Sequence, residues 1–249
     1  MNNIRQEQMR EYIEKRNLVT IKELQALFPK VSLMTIHRDL DALELGGYVV
    51  KFRGGAKSVR LNDDPEFHVR VRENNEGKTV IARKALELIQ PHTSIFLDAS
   101  TTNLLLAKSL PDINLNVITT GPSIALELAK LHNPVVTLCC GTLNRKSLAL
   151  SGQNTLKMLE GINIDLALIG VSGCSADAGF TCGTEGDMLV KRLVIEKART
   201  SVALCGYEKF SALMPYTFSR IEDVDYLICD KAVPESIEAV AKSAGVNIL

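Results

Sequence analysis

Apolar residues recur at helical spacing near the start of the chain. Ile36, Leu40 and Leu43 fall three and four positions apart, which predicts a helix with one buried stripe. Thr35, His37, Arg38 and Asp41 then point elsewhere, toward solvent or a partner. Ser32 stands where an N-cap belongs, its oxygen free to accept an orphan backbone N–H. Just upstream, Thr20-Ile21-Lys22-Glu23 fits a capping box, and Ile21, Leu24 and Leu27 supply the apolar side of a short helix. Phe28-Pro29-Lys30-Val31 reads as the turn between the two, because proline disfavours a helical residue before it. Two helices joined by a tight turn make a helix-turn-helix over about residues 20–39. An earlier helix, over about residues 3–16, closes a three-helix core through Ile4, Met9, Tyr12 and Ile13. Downstream, Gly46-Gly47-Tyr48-Val49-Val50-Lys51-Phe52-Arg53-Gly54-Gly55-Ala56 sets short β-rich stretches among paired glycines, which predicts a hairpin, or wing.

Further along, the pattern alternates. Helix-like segments fall near residues 78–90, 102–109, 123–131, 154–159, 187–199 and 235–243. Strand-like runs fall near 94–98, 116–119, 135–139, 165–169, 202–204 and 225–229, with a last one at 246–248. Strands alternating with helices predict an α/β fold with an open, mostly parallel sheet covered on both faces. The polar, proline-ended run Asn62-Asp63-Asp64-Pro65 marks a boundary. The expected organisation is a DNA-binding domain over residues 1–60, a linker over 61–77 and a second domain over 78–249.

Charge sharpens this division. The chain is neutral overall, which at first speaks against nucleic acid, but residues 1–60 carry 11 Lys and Arg against 7 Asp and Glu, leaving +4 on the part that contains the helix pair and −4 on the rest. No stretch approaches the roughly 20 apolar residues of a membrane span, and the N-terminus lacks an apolar signal segment. A cytoplasmic protein is expected. Cys139, Cys140, Cys174, Cys182, Cys205 and Cys229 form no C-x-x-C pair and read mostly as small buried residues. No metal and no cofactor are expected.

The candidate chemistry lies in two places. A second helix of this layout enters the major groove with its N-terminal residues toward the bases. That nominates Ser32, Met34, Thr35, His37 and Arg38, with Lys51 and Arg53 of the wing for phosphates. In open α/β sheets, ligands bind beyond the carboxyl ends of the strands. There, Ser100, Thr101 and Thr102 put three hydroxyls at a helix N-terminus after Asp98, an anion cradle. Gly141, Glu185, Lys191 and Lys209 follow other strand ends. Each feature has a plainer reading. Helix pairs also serve as docking modules, helix caps also use serine and threonine, and Glu185 with Lys191 also suits a solvated helix face.

The run Val31-Ser32-Leu33-Met34-Thr35-Ile36-His37-Arg38-Asp39-Leu40, followed by Leu43-Glu44 and Arg53-Gly54-Gly55-Ala56, resembles the winged helix-turn-helix signature of the DeoR family of bacterial transcriptional regulators. The resemblance extends through Asp98-Ala99-Ser100-Thr101-Thr102, Val117-Ile118-Thr119-Thr120, the run from Asp165 to Gly173, Glu185, Lys191 and Lys209-Phe210. It implies a C-terminal sensor domain related in fold to ribose-5-phosphate isomerase. It also implies double-stranded operator DNA and a small phosphorylated sugar as partners, in a homo-oligomer (dimer or tetramer). By it, Ser100, Thr101 and Thr102 hold phosphate, and Asp98, Glu185, Lys191 and Lys209 line the sugar end. The chain departs from the pattern at His37 and Arg53, where arginine and histidine are usual. It also departs at Ser100, where a glycine with freedom for φ > 0 is usual, at Cys140 of a Gly-Gly pair, and at Glu208, where serine precedes the lysine. The expected function is a regulator, most simply a repressor of carbohydrate-metabolism genes. The alternatives are a sugar-phosphate isomerase using Asp98 and Glu185, or a docking module without DNA binding.

Overall fold

A computed structural model describes residues 2–16, 18–45, 48–58, 65–210 and 212–249. Gly46, Gly47 and the boundary residues Asn62, Asp63 and Asp64 lie outside the described residues. The chain divides into two compact units, residues 1–62 with 211–213, and 63–210 with 214–249.

The first unit runs α1 (Asn2–Arg16), β1 (Leu18–Thr20), α2 (Ile21–Leu27), α3 (Leu33–Leu45), β2 (Val49–Phe52) and β3 (Gly55–Ser58). Thr20 starts α2 through the expected capping box, its hydroxyl accepting from Glu23 N–H while the Glu23 carboxylate accepts from Thr20 N–H at 2.7 Å. Ile36, Leu40 and Leu43 are buried as a stripe, and they pack with Met9, Ile13, Val19, Leu24, Val49 and Ala56 in one core. Ile4 corrects the expected core, being 69% exposed. At about 100° per residue it stands about 140° around the helix from Met9, off the packed face. The wing has a third strand, because β1 pairs with β3 to give the order β1-β3-β2.

The second unit begins earlier than the alternation suggests. Within the segment read as a linker, α4 (Phe67–Arg70) buries Phe67 in the core, and α5 already starts at Asn75 (Asn75–Leu86). There follow β4 (Ser94–Leu97), α6 (Thr101–Ser109), β5 (Asn116–Thr119), α7 (Pro122–Leu128), β6 (Val135–Leu138), β7 (Thr142–Leu143), β8 (Leu150–Ser151) and α8 (Gln153–Glu160). The chain continues with β9 (Ile164–Gly170), β10 (Gly173–Ser175), β11 (Gly179–Cys182), α9 (Glu185–Lys197) and β12 (Ala198–Leu204). It ends with β13 (Tyr216–Ser219), β14 (Tyr226–Ile228), α10 (Glu235–Ala244) and β15 (Asn247–Ile248).

Seven of these strands form a parallel sheet in the order β15-β14-β12-β9-β4-β5-β6. Period-two alternation sorts its side chains. Ile95, Leu97, Leu166, Leu168, Val202 and Leu204 face one core with α5, α6 and α7. Phe96, Ala167, Ile169 and Ala203 face the other core with α8, α9 and α10. Both faces are therefore covered, as the apolar runs require. From β4 the chain builds outward to β5 and β6, then crosses back to β9 on the other side. The switch point thus lies between the carboxyl ends of β4 and β9. A small antiparallel sheet, β10-β11-β13, is a second feature absent from the expectation.

Candidate functional site

Helix α3 divides its residues between two tasks. Ser32 caps it, its Oγ accepting from Thr35 N–H at 3.2 Å and lying 2.9 Å from the Thr35 hydroxyl. Met34 is 80% exposed, and His37 and Arg38 are exposed beside it. Asp39, the next residue, is buried and binds backward into the unit. Its carboxylate accepts from Arg5 Nε at 2.5 Å, Arg5 Nη2 at 3.1 Å and Gln6 Nε2 at 3.1 Å, tying α3 to α1. Neighbouring Arg38 and Asp39 therefore point to opposite ends of the problem, one outward and one inward. On the wing, Arg53 is exposed at the hairpin turn, whereas the Lys51 ammonium pairs with Asp41 of α3 and the Lys51 backbone N–H donates to Glu44 at 2.7 Å. Lys51 thus secures the wing to α3 in this structure. Exposed Lys57 on β3 and Lys30 in the turn add cations that the hydrophobic pattern does not single out.

In the second unit, Asp98 leaves the end of β4 at the switch point and is 1% exposed. Its Oδ1 accepts from Ser100 N–H at 3.1 Å and Asn103 Nδ2 at 2.8 Å. Its Oδ2 accepts from Gly170 N–H at 2.9 Å and faces Lys191 Nζ at 3.3 Å. Lys191 projects from α9, with Nζ also 2.9 Å from Asp187 and donating to Gly170 C=O at 2.8 Å. It lies 5.1 Å from the centre of the Phe218 ring, which β13 supplies. Burial opposes its charge, but the carboxylates of Asp187 and Asp98 outweigh that and hold the ammonium above the ordinary lysine range.

This network makes the loop after β4. Ser100 caps α6, its Oγ accepting from Asn103 N–H at 3.2 Å. Its φ is −73° with ψ 153°, so the serine that replaces a usual glycine carries no left-handed strain. The strict glycine requirement in this region lies across the switch point, at Gly170. A Cβ on Gly170 would lie 2.3 Å from Ser100 Cβ, so only glycine lets β9 pass beneath this loop. Helix geometry leaves the Thr101 and Thr102 amides, at its first two positions, without intrahelical acceptors. The Asn103 carbonyl oxygen, in a residue 0% exposed, is the one buried side-chain oxygen or nitrogen without a partner among the described residues.

The remaining expected residues are placed as follows. Gly141, at φ +145°, follows β6, and a Cβ there would meet Thr155 Oγ1 at 2.2 Å. Glu185 opens α9 and is exposed, while Asp187, not singled out in the sequence, takes the pairing with Lys191. Asp98 and Lys191 are both buried, and they pair with each other and with the backbone of Gly170 beneath the loop after β4. Lys209 lies in the short turn Tyr207–Lys209 after β12, its Nζ 4.0 Å from Glu208. Among the described residues no cluster of His, Cys, Asp and Glu suits a metal, and no helix is long and apolar enough to cross a membrane.

A family model described as the DeoR C terminal sensor domain matches residues 73–231, and one described as the DeoR-like helix-turn-helix domain matches residues 5–61. The HTH-type transcriptional regulator GolR of Listeria innocua is 31% identical over 246 residues, covering 98% of this chain and 96% of that protein. The HTH-type transcriptional repressor GlcR of Bacillus subtilis is 30% identical over 240 residues, covering 96% and 92%. Among solved structures, ribose 5-phosphate isomerase A from Methanocaldococcus jannaschii overlaps 55% of each chain at 16% identity and a TM-score of 0.40.

Proposed function

The chain belongs to the DeoR family of helix-turn-helix transcriptional regulators, and we propose that it binds operator DNA as a repressor of carbohydrate-metabolism genes, released or retained by a phosphorylated sugar. The observation that carries the DNA half is the split of α3. A buried stripe fixes the helix while Met34, His37 and Arg38 stand exposed at and just beyond its capped N-terminus. Side chains so placed suit the major groove, with Thr35 at the helix start and Arg53 on the wing available to phosphates. His37 carries less permanent charge than the arginine usual there, which lowers its share of phosphate affinity. Two copies of the chain, in a dimer or tetramer, match the two half-sites that such a reader needs.

The sensor half rests on the switch point. The α6 N-terminus carries the Thr101 and Thr102 amides and hydroxyls, at 5% and 8% exposure, beyond the end of β4, where the helix dipole favours a phosphate. Gly141, Glu185 and Lys209 sit after neighbouring strand ends or at the start of α9, as sugar-side contacts. Asp98 and Lys191 hold the loop in shape beneath them. This arrangement favours sensing over isomerisation, because the Asp98 carboxylate already accepts three N–H donors and the Lys191 ammonium, and so is not available to shuttle a proton. Thermal-shift screening of the full chain against pentose, hexose and polyol phosphates tests the reading. A raised melting temperature with one of them, and no turnover of ribose 5-phosphate, is expected. No shift with any of them, or turnover, contradicts it.

A further inference from the structure

In chain order α4 is the first helix of the second unit, and residues 71–74 pass it on to α5. Two side chains fix that turn. Lys78 is 7% exposed, and its Nζ donates to the carbonyl of Arg70 and, at 2.7 Å, to that of Glu73. Asn74 caps α5, its Oδ1 accepting from Gly77 N–H at 3.2 Å, and holds φ 43° and ψ 46°, a left-handed conformation that asparagine tolerates better than most residues. Its Nδ2 reaches across the fold to donate to Glu208 Oε2 at 2.8 Å. Glu208 in turn stands beside Lys209, with Oε1 4.0 Å from Nζ. Asn74 therefore has one end on α5 and the other on the turn that carries Lys209.

We propose that Glu208 and Asn74 form a latch through which an anion at Lys209 shifts the α4–α5 turn, and with it the end of the second unit that continues into the DNA-reading unit. This rests on the second unit being the sugar-phosphate sensor. A phosphate or acidic sugar drawn to Lys209 competes with Glu208 for the ammonium and repels its carboxylate. Glu208 then withdraws from Asn74 Nδ2, and Asn74 loses the contact that helps hold its left-handed backbone. The family pattern has serine at the Glu208 position, so the latch is a feature of this chain.

The test uses the full chain, with Glu208→Ala and Asn74→Gly as variants. Glycine keeps the left-handed backbone and removes both side-chain bonds. Without ligand, amide exchange at Gly77 and Lys78 is expected to quicken about fivefold in Glu208→Ala, the equivalent of one lost hydrogen bond of about 1 kcal/mol, and by more in Asn74→Gly, which loses two. Operator affinity is then measured on DNA from upstream of the chain's own gene, with and without the sugar phosphate that raises the melting temperature, and with inorganic phosphate as control. The wild-type ratio is expected within about 5–150-fold. In the variants it is expected to fall to about twofold or less while the melting shift persists. Variants that keep both the wild-type ratio and wild-type exchange overturn the latch alone. A wild type whose operator affinity ignores every sugar phosphate overturns the sensor reading, and the latch with it.

Discussion

Replacing Lys191 by methionine removes the cation that faces Asp98 at the switch point. The side chain is 4% exposed and the facing Asp98 side chain 2%, at 3.3 Å. At an effective dielectric constant of about 20, a pair at this separation attracts by about 5 kcal/mol before desolvation is charged against it. Breaking a buried pair by removing one partner costs about 3–5 kcal/mol, because the survivor stays buried without its counter-charge. Asp98 keeps three N–H donors in the variant, which places the expected loss near the lower end, about 3 kcal/mol. Asp187→Asn is the control. Asp187 is 21% exposed and leaves the Asp98 pair intact, so its expected cost is about 1 kcal/mol. The chain holds no tryptophan, so urea unfolding is followed by circular dichroism, with amide exchange at Gly170 as the local reporter of the loop. Exchange there should rise sharply in Lys191→Met and little in Asp187→Asn. Equal, small losses in the two variants would refute the assignment of Lys191 as the buried counter-charge that shapes the loop.

Arg38→Ala should weaken binding to the operator by about 1–3 kcal/mol in a gel-shift series, and an unchanged affinity would remove α3 from the interface. Thr101→Ala should weaken the sugar phosphate about fivefold in calorimetry while the melting temperature of the free protein moves little; undiminished binding would move the phosphate elsewhere. Lys78 gives a pH prediction. Its folded pKa of about 8 lies below the unfolded value near 10.4, so between them the unfolded chain binds more protons and stability rises with pH. The rise is about 3 kcal/mol at most, starts near pH 8, and should be missing in Lys78→Met; parallel urea midpoints for the two proteins from pH 7.5 to 10 would contradict it.

Periodicity carried much of this architecture. The α3 stripe, the Thr20–Glu23 cap and the seven parallel strands each have a local signature, because burial on one or both faces leaves a repeat in the sequence. The antiparallel sheet β10-β11-β13 has no such repeat, since glycine, serine and threonine break up its apolar residues. The α4 turn is four residues long, and only Phe67 hints that it packs. The site was legible by residue type but not by partner. Ser100 and Gly170 meet because β9 runs under the loop after β4, a proximity fixed by strand order. Asp187 stands four residues before Lys191, the helical pairing distance, so spacing alone favoured it over Glu185 six residues before. Asp39 was silent, since its partner Arg5 lies 34 positions away.

Under the proposed function, one anionic metabolite and one duplex act on each other through this chain. Calorimetric titration of the sugar phosphate into full-length protein, alone and saturated with operator, measures it directly. Two different dissociation constants are expected, in a ratio that matches the effect of the metabolite on operator affinity, because the coupling must be reciprocal. Identical constants with and without DNA would contradict it.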